Sequence, residues 1–490
     1  MATIPELKRR IAQALGREKA DLAVKGTRFL DVASGAIARG DVAVGGDRII
    51  GTFEEYEGEV EIDGRDLVVV PGFIDTHVHV ESTLVTPSEF DRCVLPRGTT
   101  TAICDPHEIS NVLGLEGLGY FFECAPGLVM DLRVQLSSCV PATHLQTSGA
   151  RVGAEDLERF RGHPHGIGLA EMMNYPGVLF GDEEVLAKIA AFEDVHVDGH
   201  CPLLRGRELN AYAACGIRNC HESTSLEEAA EKLAKGLQVL IREGSVSKDV
   251  DALSPLISES TWPFLSFCTD DRNPLDIAEE GHIDHSIRRA IQNGAPALAV
   301  YRAATWAAAR GFGLRDRGLV APGYRADLVL LDDLDACAVH AVVKDGRVVG
   351  EETFEGRHVV EPVGRGSVHL EPVEASVFAV PGQAGTHSVI GLIPGRILTD
   401  HLRQEIRSKD GILQADRERD LLEIAVLCRH EGGHGVGRRF VKGFGLKEGA
   451  LASSVGHDSH NVIVVGTNHA DMAAAVNPLI DLDGAFVAAR

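Results

Sequence analysis

Two histidines two residues apart are the most informative feature of the chain. Residues 71–82 read PGFIDTHVHVES and follow an apolar run, so His77 and His79 lie at the end of a predicted strand. Side chains at i and i+2 of a strand lie on the same face, and the pair therefore presents two imidazoles to one point. Because imidazole is the commonest side-chain metal ligand, this spacing indicates half of a metal site. The alternative is a pair of polar histidines that bind no metal.

Four further predicted strands end near a residue that could bind a metal. These residues are Glu171 in GIGLAEMM, His200 in VHVDGHC, His221 in IRNCHES and Asp270 in FLSFCTD. Each has an ordinary alternative: a helix-capping acid, two hydrogen-bonded core histidines and a turn aspartate. Taken together with the histidine pair, they are explained more economically by one shared site.

The combined set of four imidazoles and two carboxylates exceeds what one tetrahedral ion needs. It suits two divalent ions that share a bridging carboxylate, and Glu171, on the middle strand, is the predicted bridge. A hydroxide held between the ions would be a nucleophile at neutral pH, because metal binding lowers the pKa of water to about 7. Asp270 would accept the proton of that water and pass it on. Without thiolate ligands the set fits zinc, manganese or ferrous iron and does not choose among them.

The segment that must position these ligands, residues 73–313, alternates apolar runs with helix-like stretches. The runs predicted as strands are FIDTHVHV, TTAICD, RVQLSSCV, GIGLAEMM, VHVDGHC, IRNCHES, QVLIREG and FLSFCTD. Eight strands with helical connectors predict an α/β fold of the (β/α)₈ barrel type, in which the chemistry lies at the carboxyl ends of the strands. The candidate ligands occupy those ends.

Two kinds of segment flank the predicted barrel. Residues 20–70 and roughly 315–352 both alternate short β-like runs with turn residues, and we expect them to pair into one β-sandwich module. A C-terminal α+β domain is predicted to begin with strands in SVHLEPVEASVFAV and to contain a helix over RERDLLEIAVLCRH. The predicted domains are therefore 1–72, 73–313, 314–355 and 356–490.

Composition excludes several classes of partner. The chain of 490 residues carries a net charge of −24, from 48 basic and 72 acidic residues, so it should repel nucleic acid. No run approaches the roughly 18 consecutive apolar residues of a membrane helix, and the N-terminus lacks the apolar core of a signal peptide. The ten cysteines are scattered without a C-x-x-C pair, which is typical of reduced thiols in a cytoplasmic protein.

Several blocks of the chain resemble those of the bacterial adenine deaminases, within the amidohydrolase superfamily. They are HVHVES, PRGTTTAICDPHEISNVLG, GLAEMMNYPGV, DGHCPLLRGRELNAY, GIRNCHES, CTDDRNPLDIAEEGHID and FVKGFG with HDSHN. In most two-metal relatives a carboxylated lysine on the fourth strand bridges the ions. The adenine deaminases resemble this chain in having glutamate there, which supports Glu171 as the bridge.

The resemblance implies a metal-dependent hydrolase that converts adenine and water to hypoxanthine and ammonia. It further implies attack of the bridging hydroxide on C6 of the purine, a cytoplasmic role in purine salvage, and a homo-oligomer, a dimer by analogy. The C-terminal unit stops at DLDGAFVAAR, where the resemblance leads us to expect tens of further residues.

The resemblance also suggests residues that could contact a neutral, flat base in an apolar pocket. The substrate-binding candidates are Glu81, Asp105, Glu108, Glu222, His457 and His460. His107, which precedes Glu108 in DPHE, is a candidate proton relay, and the alternative for this pair is a network that stabilises a loop. Asp271 is expected to support Asp270, whereas Arg242 and Glu243 form either an ion pair or a pocket wall.

The C-terminal histidines admit two interpretations. His430, His434, His457 and His460 lie in Gly-rich stretches and could cap the mouth of the barrel. They could equally order their own loops through backbone hydrogen bonds. The RHEGGHG stretch is a variable part of the resemblance, so no role is carried over to it.

Other functions remain open on the sequence alone. Another amidohydrolase that acts on a different aminopurine or a cyclic amide would keep the same metal ligands. A catalytically inactive scaffold would normally have lost ligands, and all six are present here. The zinc site of cytidine deaminases, H-x-E with P-C-x-x-C, is not found, and a single-metal deaminase would leave Glu171 without a role.

Overall fold

A computed structural model describes residues 2–430 and 435–490, so His434 lies outside the described residues. The chain divides into two compact units. The first contains the chain up to Pro106, Phe121–Leu136 and Leu157–Glu361, and the second contains His107–Tyr120, Ser137–Asp156 and Pro362–Arg490. The division into four domains made from the sequence stays a prediction.

The first unit begins with a capped helix, α1 (Ile4–Ala14). Thr3 accepts a hydrogen bond from the backbone of Glu6, and the Glu6 carboxylate accepts one from the backbone of Thr3, which satisfies two donors at the helix start. The strands that follow are β1 (Ala20–Asp31), β2 (Ala36–Gly45), β3 (Arg48–Thr52), β4 (Gly58–Asp63) and β5 (Val68–Pro71). Strand β1 pairs antiparallel with β2 and, along two separate stretches, parallel with β4 and β5.

Each of the runs predicted as barrel strands contains a strand. They are β6 (Phe73–Val78), β7 (Thr99–Cys104), β8 (Asp131–Leu136), β9 (Gly166–Met172), β10 (His196–Gly199), β11 (Asn219–Cys220), β12 (Gln238–Arg242) and β13 (Leu265–Cys268). Strands β6 to β10 form one parallel sheet and β11 to β13 a second. Most of their residues are buried, as expected of parallel strands covered on both faces. The predicted α/β fold class is confirmed.

Backbone hydrogen bonds join the two sheets at both ends. Arg218 N donates to Val197 O at 3.1 Å, which connects β11 to β10. Asp270 N donates to His77 O at 2.9 Å, and His79 N donates to Asp270 O at 2.7 Å. These bonds close the curled sheet into a ring and bring the ends of β6 and β13 together.

The connecting segments of the barrel are largely helical. The helices are α2 (Pro87–Val94), α3 (His107–Leu113), α4 (Leu115–Cys124), α5 (Ala154–Leu157), α6 (Tyr175–Phe180), α7 (Glu183–Ala191), α8 (Gly206–Ala214), α9 (Leu226–Ala234), α10 (Val250–Leu253), α11 (Pro274–Glu279), α12 (Ile283–Gln292), α13 (Ala297–Arg302) and α14 (Ala308–Gly311). Asp182, Ser225 and Asn273 accept hydrogen bonds from backbone N–H groups at the starts of α7, α9 and α11. These caps explain where the three helices begin.

The two flanking segments form one sheet. Strands β14 (Leu328–Asp333), β15 (Ala338–Lys344) and β16 (Arg347–Val348) continue the N-terminal strands in the order β16-β15-β14-β5-β1-β2-β3, and β4 also pairs with β1. The join is an antiparallel pairing of β5 with β14, in which Val69 lies opposite Leu330. The two segments are therefore hydrogen-bonded into a single sheet. Its side chains form an apolar core that includes Phe29, Val42 and Leu328.

The second unit contains a mixed sheet and a helix packed on it. Its elements are β17 (Gly385–Leu392), β18 (Thr399–Ile406), β19 (Ser408–Lys409), β20 (Ile412–Leu413), β21 (Leu421–Leu427), β22 (Val436–Lys442), β23 (Ala450–Ser453), β24 (Val462–Gly466), α15 (His469–Asp481) and β25 (Phe486–Ala489). The sheet order is β18-β17-β22-β21-β24-β23-β25, and β19 pairs with β20. Helix α15 buries Met472, Val476 and Leu479 against the sheet.

Two expectations for the C-terminal region are wrong. The helix predicted over 417–430 is strand β21, which pairs with β22 and β24. Leu, Glu and Ala favour helices, but the same residues can form a strand when both of its edges are paired and most of its side chains are buried. Residues 367–380, predicted to contain strands, hold a 3₁₀ turn at Ala375–Phe378. Helix α15 was not predicted, although Asn468 caps it and its first turn contains Asp471.

The helices also bear on membrane association. Across the described ranges, 2–430 and 435–490, we find no helix with the length and apolar character needed to cross a bilayer.

The first testable prediction concerns the core of the barrel. Phe73 on β6 is wholly buried beside Tyr301, so Phe73→Ala should lower the free energy of unfolding by about 3–5 kcal/mol through lost burial and a cavity. Phe180→Ala is the matched control, because that ring is 89% exposed, and it should change stability by less than about 0.5 kcal/mol. Urea unfolding of both variants measures the difference, and equal midpoints would contradict the packing described.

Candidate metal centre

The residues predicted as metal ligands come together at the carboxyl ends of the barrel strands. They are His77 and His79 at β6, Glu171 on β9, His200 after β10, His221 after β11 and Asp270 after β13. Overlapping groups of them offer ligand atoms that lie within 4.8 Å of one another. Their assignment as ligands stays a prediction.

The two histidines of the H-x-H pair point at one place. Their Nε2 atoms are 3.1 Å apart. The other nitrogen of each ring is held from behind, His77 Nδ1 by Asp198 Oδ2 at 3.1 Å and His79 Nδ1 by the backbone oxygen of Asp105 at 2.8 Å. Because a carbonyl oxygen only accepts, the neutral His79 ring carries its proton on Nδ1 and leaves a lone pair on Nε2.

Glu171 lies between two pairs of histidines. Its Oε1 is 3.2 Å from His79 Nε2 and 3.5 Å from His77 Nε2. Its Oε2 is 2.6 Å from His200 Nδ1 and 3.4 Å from His221 Nε2. One carboxylate therefore faces both pairs with different oxygens, which is the arrangement required of a bridging ligand.

Asp270 has a left-handed backbone conformation, and its two carboxylate oxygens contact different partners. Its φ is 63°, which lies in the left-handed region that residues other than glycine adopt only occasionally. The hydrogen bonds that close the barrel hold the backbone in this conformation. Oδ1 is 3.2 Å from His79 Nε2, whereas Oδ2 accepts a hydrogen bond from Arg242 Nη1 at 3.0 Å. Oδ1 therefore faces the histidines while Oδ2 is held by a cation.

Arg242 is a buried cation at the edge of this cluster. Its guanidinium donates through Nη1 and Nη2 to the two carboxylate oxygens of Glu222, and its Nε donates to Asp249 Oδ2 at 3.2 Å. Glu243 instead accepts from the backbone of Val250. Arg242 thus orients both Glu222 and Asp270. An ion pair between Arg242 and Glu243, the alternative suggested by their adjacency in the sequence, would not have indicated this role.

The charges in the cluster are strongly coupled. Burial alone would lower the pKa of His77, but hydrogen bonds with Asp198 and Glu171 raise it to about 10. Burial and the neighbouring charge of His77 lower the pKa of His221 to about 3. Burial raises the pKa of Glu171, yet His200 and His221 outweigh it and keep the carboxyl ionised.

The same side chains satisfy the chemical requirements of a divalent-metal site. Four imidazoles and two carboxylates converge, and Arg242 contacts one of the two carboxylates. Imidazole nitrogen and carboxylate oxygen are ligands that zinc, manganese and ferrous iron accept. The residues therefore fit a metal centre.

Three of the predicted substrate residues lie in the same unit. Asp105 follows β7, is fully buried, and offers a ligand atom within 4.8 Å of those of His79 and Glu171. Glu81 lies in the 3₁₀ turn after β6, and Glu222 is held by Arg242 as described. The expected support residue Asp271 accepts a hydrogen bond from Ser245 N through its backbone oxygen.

The remaining candidates form a cluster within the second unit. Glu108, on the first turn of α3, is fully buried, with Oε1 2.6 Å from His457 Nδ1 and Oε2 2.5 Å from His460 Nε2. His460 Nδ1 accepts from Gly456 N, so its Nε2 carries the proton donated to Glu108. His107 Nε2 is 3.5 Å from Asp458 Oδ1.

These contacts are those expected of a network that orders a loop. His430 adds to it, since its Nε2 donates to the backbone oxygen of Ser459 at 2.9 Å. Burial raises the pKa of Glu108, but His457 and His460 outweigh it and lower the pKa well below its usual range. A role for His107, Glu108, His457 or His460 in substrate binding or proton relay stays a prediction.

Sequence reasoning missed the partners that hold the predicted ligands. Asp198 and Asp75 are fully buried carboxylates, and Asp75 accepts from both the backbone and the hydroxyl of Thr269, the residue before Asp270. Each stands two residues before a predicted ligand histidine, in VDGH and IDTH. An aspartate inside a buried strand was the signal that could have identified them, since a buried charge requires a partner.

The amino-acid sequence matches two protein-family models and is similar to several curated proteins. The model of the amidohydrolase family matches residues 68–349, and that of the adenine deaminase C-terminal domain matches residues 396–490. An adenine deaminase of Methylobacterium nodulans is 58% identical over 99% of this chain and 86% of its own length. One of Cereibacter sphaeroides is also 58% identical, over 98% and 85% respectively, and adenine deaminase 1 of Rhizobium meliloti is 57% identical over 98% and 85%.

A solved structure shares the fold. N-acetyl-D-glucosamine-6-phosphate deacetylase from Mycobacterium smegmatis matches with a TM-score of 0.50 and 18% identity, over 67% of this chain and 100% of its own. At this identity the likeness concerns the fold alone.

The second testable prediction concerns the carboxylate behind His77. Asp198→Asn should weaken binding of a divalent ion about 10–100-fold, because the amide no longer fixes the orientation and charge of the ring as a carboxylate does. Isothermal titration of the metal-stripped protein with zinc measures this affinity. Asp194→Asn, an exposed position on the segment before β10, is the control and should bind as the unaltered protein does. An unchanged affinity in Asp198→Asn would contradict the role given to that carboxylate.

Proposed function

Because this chain belongs to the amidohydrolase family, and to the adenine deaminases within it, we propose that it converts adenine and water to hypoxanthine and ammonia. The placement of Glu171 is the observation that carries the proposal. Its carboxylate faces two histidine pairs at the position where the adenine deaminases resemble this chain in having glutamate. We further propose a cytoplasmic role in purine salvage and a homo-oligomer, a dimer by analogy.

Two divalent ions are proposed to occupy the centre. His77, His79 and Asp270 would hold one, His200 and His221 the other, and Glu171 would bridge them. Zinc, manganese and ferrous iron all suit these ligands. Such ions would supply Lewis acidity and lower the pKa of water, so that a nucleophile exists at neutral pH.

Asp270 is proposed to move the protons of the reaction. The oxygen of water adds to C6 of adenine, one of its protons passes to the ring, and another reaches the amino group before the C6–N bond breaks and ammonia leaves. Asp270 Oδ1 faces the histidines and is placed to accept and return a proton, while Arg242 holds Oδ2. The fixed orientation keeps the accepting oxygen in one place.

The neighbouring carboxylates are proposed to recognise the base. Adenine is neutral and presents N–H donors, so carboxylate acceptors such as Glu222, Glu81 and Asp105 suit its edges. Burial raises the pKa of Glu222, but the Arg242 guanidinium outweighs it and lowers the pKa below its usual value, so Glu222 remains an acceptor. The net charge of −24 is compatible with such a substrate and disfavours nucleic acid as a partner.

A substrate panel tests the function directly. The protein, reconstituted in turn with zinc, manganese and ferrous iron, is assayed for ammonia release from adenine, other aminopurines and cyclic amides. We expect adenine to give the highest kcat/KM together with the ultraviolet change of conversion to hypoxanthine. Faster turnover of another substrate would assign a different amidohydrolase activity. A protein that binds no metal and releases no ammonia would be an inactive scaffold.

The third testable prediction concerns the bridge. Glu171→Gln replaces an anion shared by four imidazoles with a neutral amide, so metal content and kcat/KM should fall together, the latter by about 100-fold or more. Metal analysis and the ammonia assay are performed on the same preparation. Glu89→Gln, at an exposed position on α2, should leave both unchanged. Two tightly bound ions and full activity in Glu171→Gln would disprove the bridging assignment.

The fourth testable prediction separates proton transfer from metal binding. Asp270→Asn keeps the shape of the side chain and leaves the five other predicted ligands in place, but the amide cannot accept a proton. Metal content should therefore persist while kcat falls about 10²–10⁴-fold. The control is Asp251→Asn, an exposed position on α10. Near-normal turnover in Asp270→Asn would remove this residue from proton transfer.

A further inference from the structure

A lysine lies wholly inside the protein on the outer side of the candidate metal centre. Lys232, on α9, has no exposed surface. Its Nζ donates to Glu228 Oε1 at 2.8 Å, to Ser223 Oγ at 3.2 Å and to Cys220 Sγ at 3.3 Å. An ammonium group has three donors, and all three have acceptors here. Lysine is almost never fully buried unless it is paired, and here the three acceptors compensate the loss of water around the ammonium group.

The sulfur of Cys220 is the shared acceptor in this cluster. Besides Lys232, it receives the backbone N–H groups of Cys201 and Glu222, each at 3.4 Å, and the thiol of Cys201 at 3.5 Å. These four contacts on one buried sulfur come from donors. Sulfur is a weak acceptor, so each of these contacts is weak by itself. The Lys232 ammonium is the charged donor among the four, and a charged donor makes the stronger hydrogen bond.

The two backbone donors belong to the two segments that present predicted ligands. Cys201 follows His200, whereas Cys220 and Glu222 flank His221 on either side. The Cys220 sulfur thus connects the backbone next to one histidine with the backbone next to the other. Glu228 adds a second connection, because its Oε1 accepts from Leu203 N at 2.7 Å on the His200 segment.

The strands themselves provide few hydrogen bonds at this point. Strand β11 is two residues long, and it pairs with β12 through Asn219 and Cys220. On its other side, Arg218 N donates to Val197 O. The Asn219 side chain adds one bond, since its Oδ1 accepts from Gly199 N at 2.8 Å. With so few bonds from such a short strand, contacts from outside the sheet contribute to the spacing of the two strand ends.

We propose that Lys232, Cys220 and Glu228 form a positioning cluster that sets the separation of His200 and His221. The cluster thereby determines how tightly the second histidine pair holds a divalent ion. None of its three residues is a catalytic residue, because they act through the backbone beside the ligands. The inference rests on the metal centre of the proposed function and adds residues to it that the ligand set does not include.

The fifth testable prediction follows from the cobalt-loaded protein. Cys220→Ala and Lys232→Met should both release one of two cobalt(II) ions to a chelator about 10–100-fold faster than the unaltered protein. The visible absorption of that ion should change as well, since its intensity reports ligand geometry, and the more slowly released ion should keep its spectrum. Cys220→Ser keeps an acceptor at the same place and should restore most of the lost retention.

Two controls separate positioning from general destabilisation. Cys428→Ala removes a buried thiol in the second unit and should leave both release rates unchanged. The double variant Lys232→Met with Cys220→Ala should release cobalt no faster than the faster single variant if the residues act as one unit. Additive effects would overturn the shared role.

The outcomes also distinguish this inference from the proposed function. Two bound cobalt ions with unaltered release and spectrum in Cys220→Ala would overturn the positioning cluster and leave the metal centre intact. An unaltered protein that binds neither cobalt nor zinc, manganese or ferrous iron would overturn both. If Lys232→Met does not fold, the comparison of Cys220→Ala with Cys220→Ser decides, because these two variants differ by one oxygen atom.

Discussion

The placement of one buried carboxylate between four imidazoles is the constraint on which the rest of the centre depends. The Glu171 carboxylate is buried and out of reach of solvent, and its two oxygens face different histidine pairs. A buried anion of this kind is stable only with positive charge beside it. Protons on the imidazoles can supply that charge, but they compete for the lone pairs that all four rings direct inwards. Divalent cations satisfy the carboxylate and the lone pairs together, which is why the donor set favours metal over protonation.

Closure of the barrel is what makes this placement possible. The predicted ligands are spread from residue 77 to residue 270, and the hydrogen bonds between the ends of β6 and β13 bring the first of them beside the last. Those same bonds hold Asp270 in its left-handed conformation. The hydrogen bonds that close the barrel therefore also fix the backbone conformation of a predicted site residue.

The sequence indicates which side chains converge at the strand ends better than it indicates the partners of those side chains, for a physical reason. A ligand at a strand end has a local signature, since an apolar run precedes a polar residue at a defined spacing. The carboxylates that accept from Arg242 follow β11, precede α10 and follow β13, so no local pattern announces them. The acceptors of Lys232 lie within 12 residues of it, but the hydrogen bonds that connect Cys220 and Glu228 to the His200 segment are not local, and no pattern announces those. The same limit explains strand β21, where a run rich in Leu, Glu and Ala favours a helix until pairing on both edges is taken into account.

The supporting residues differ in kind around the centre, and the difference has a chemical meaning. His77 is held by a carboxylate, His79 by a backbone oxygen, and the segments of His200 and His221 by a sulfur linked to an ammonium. A carboxylate increases the electron density of the ring that it contacts, whereas a carbonyl chiefly fixes the tautomer. The pair at β6 is therefore the more electron-rich, with Asp270 adding a further anion. Two ions bound here would experience unequal fields, and the ion beside Asp270 would be the better neutralised of the two.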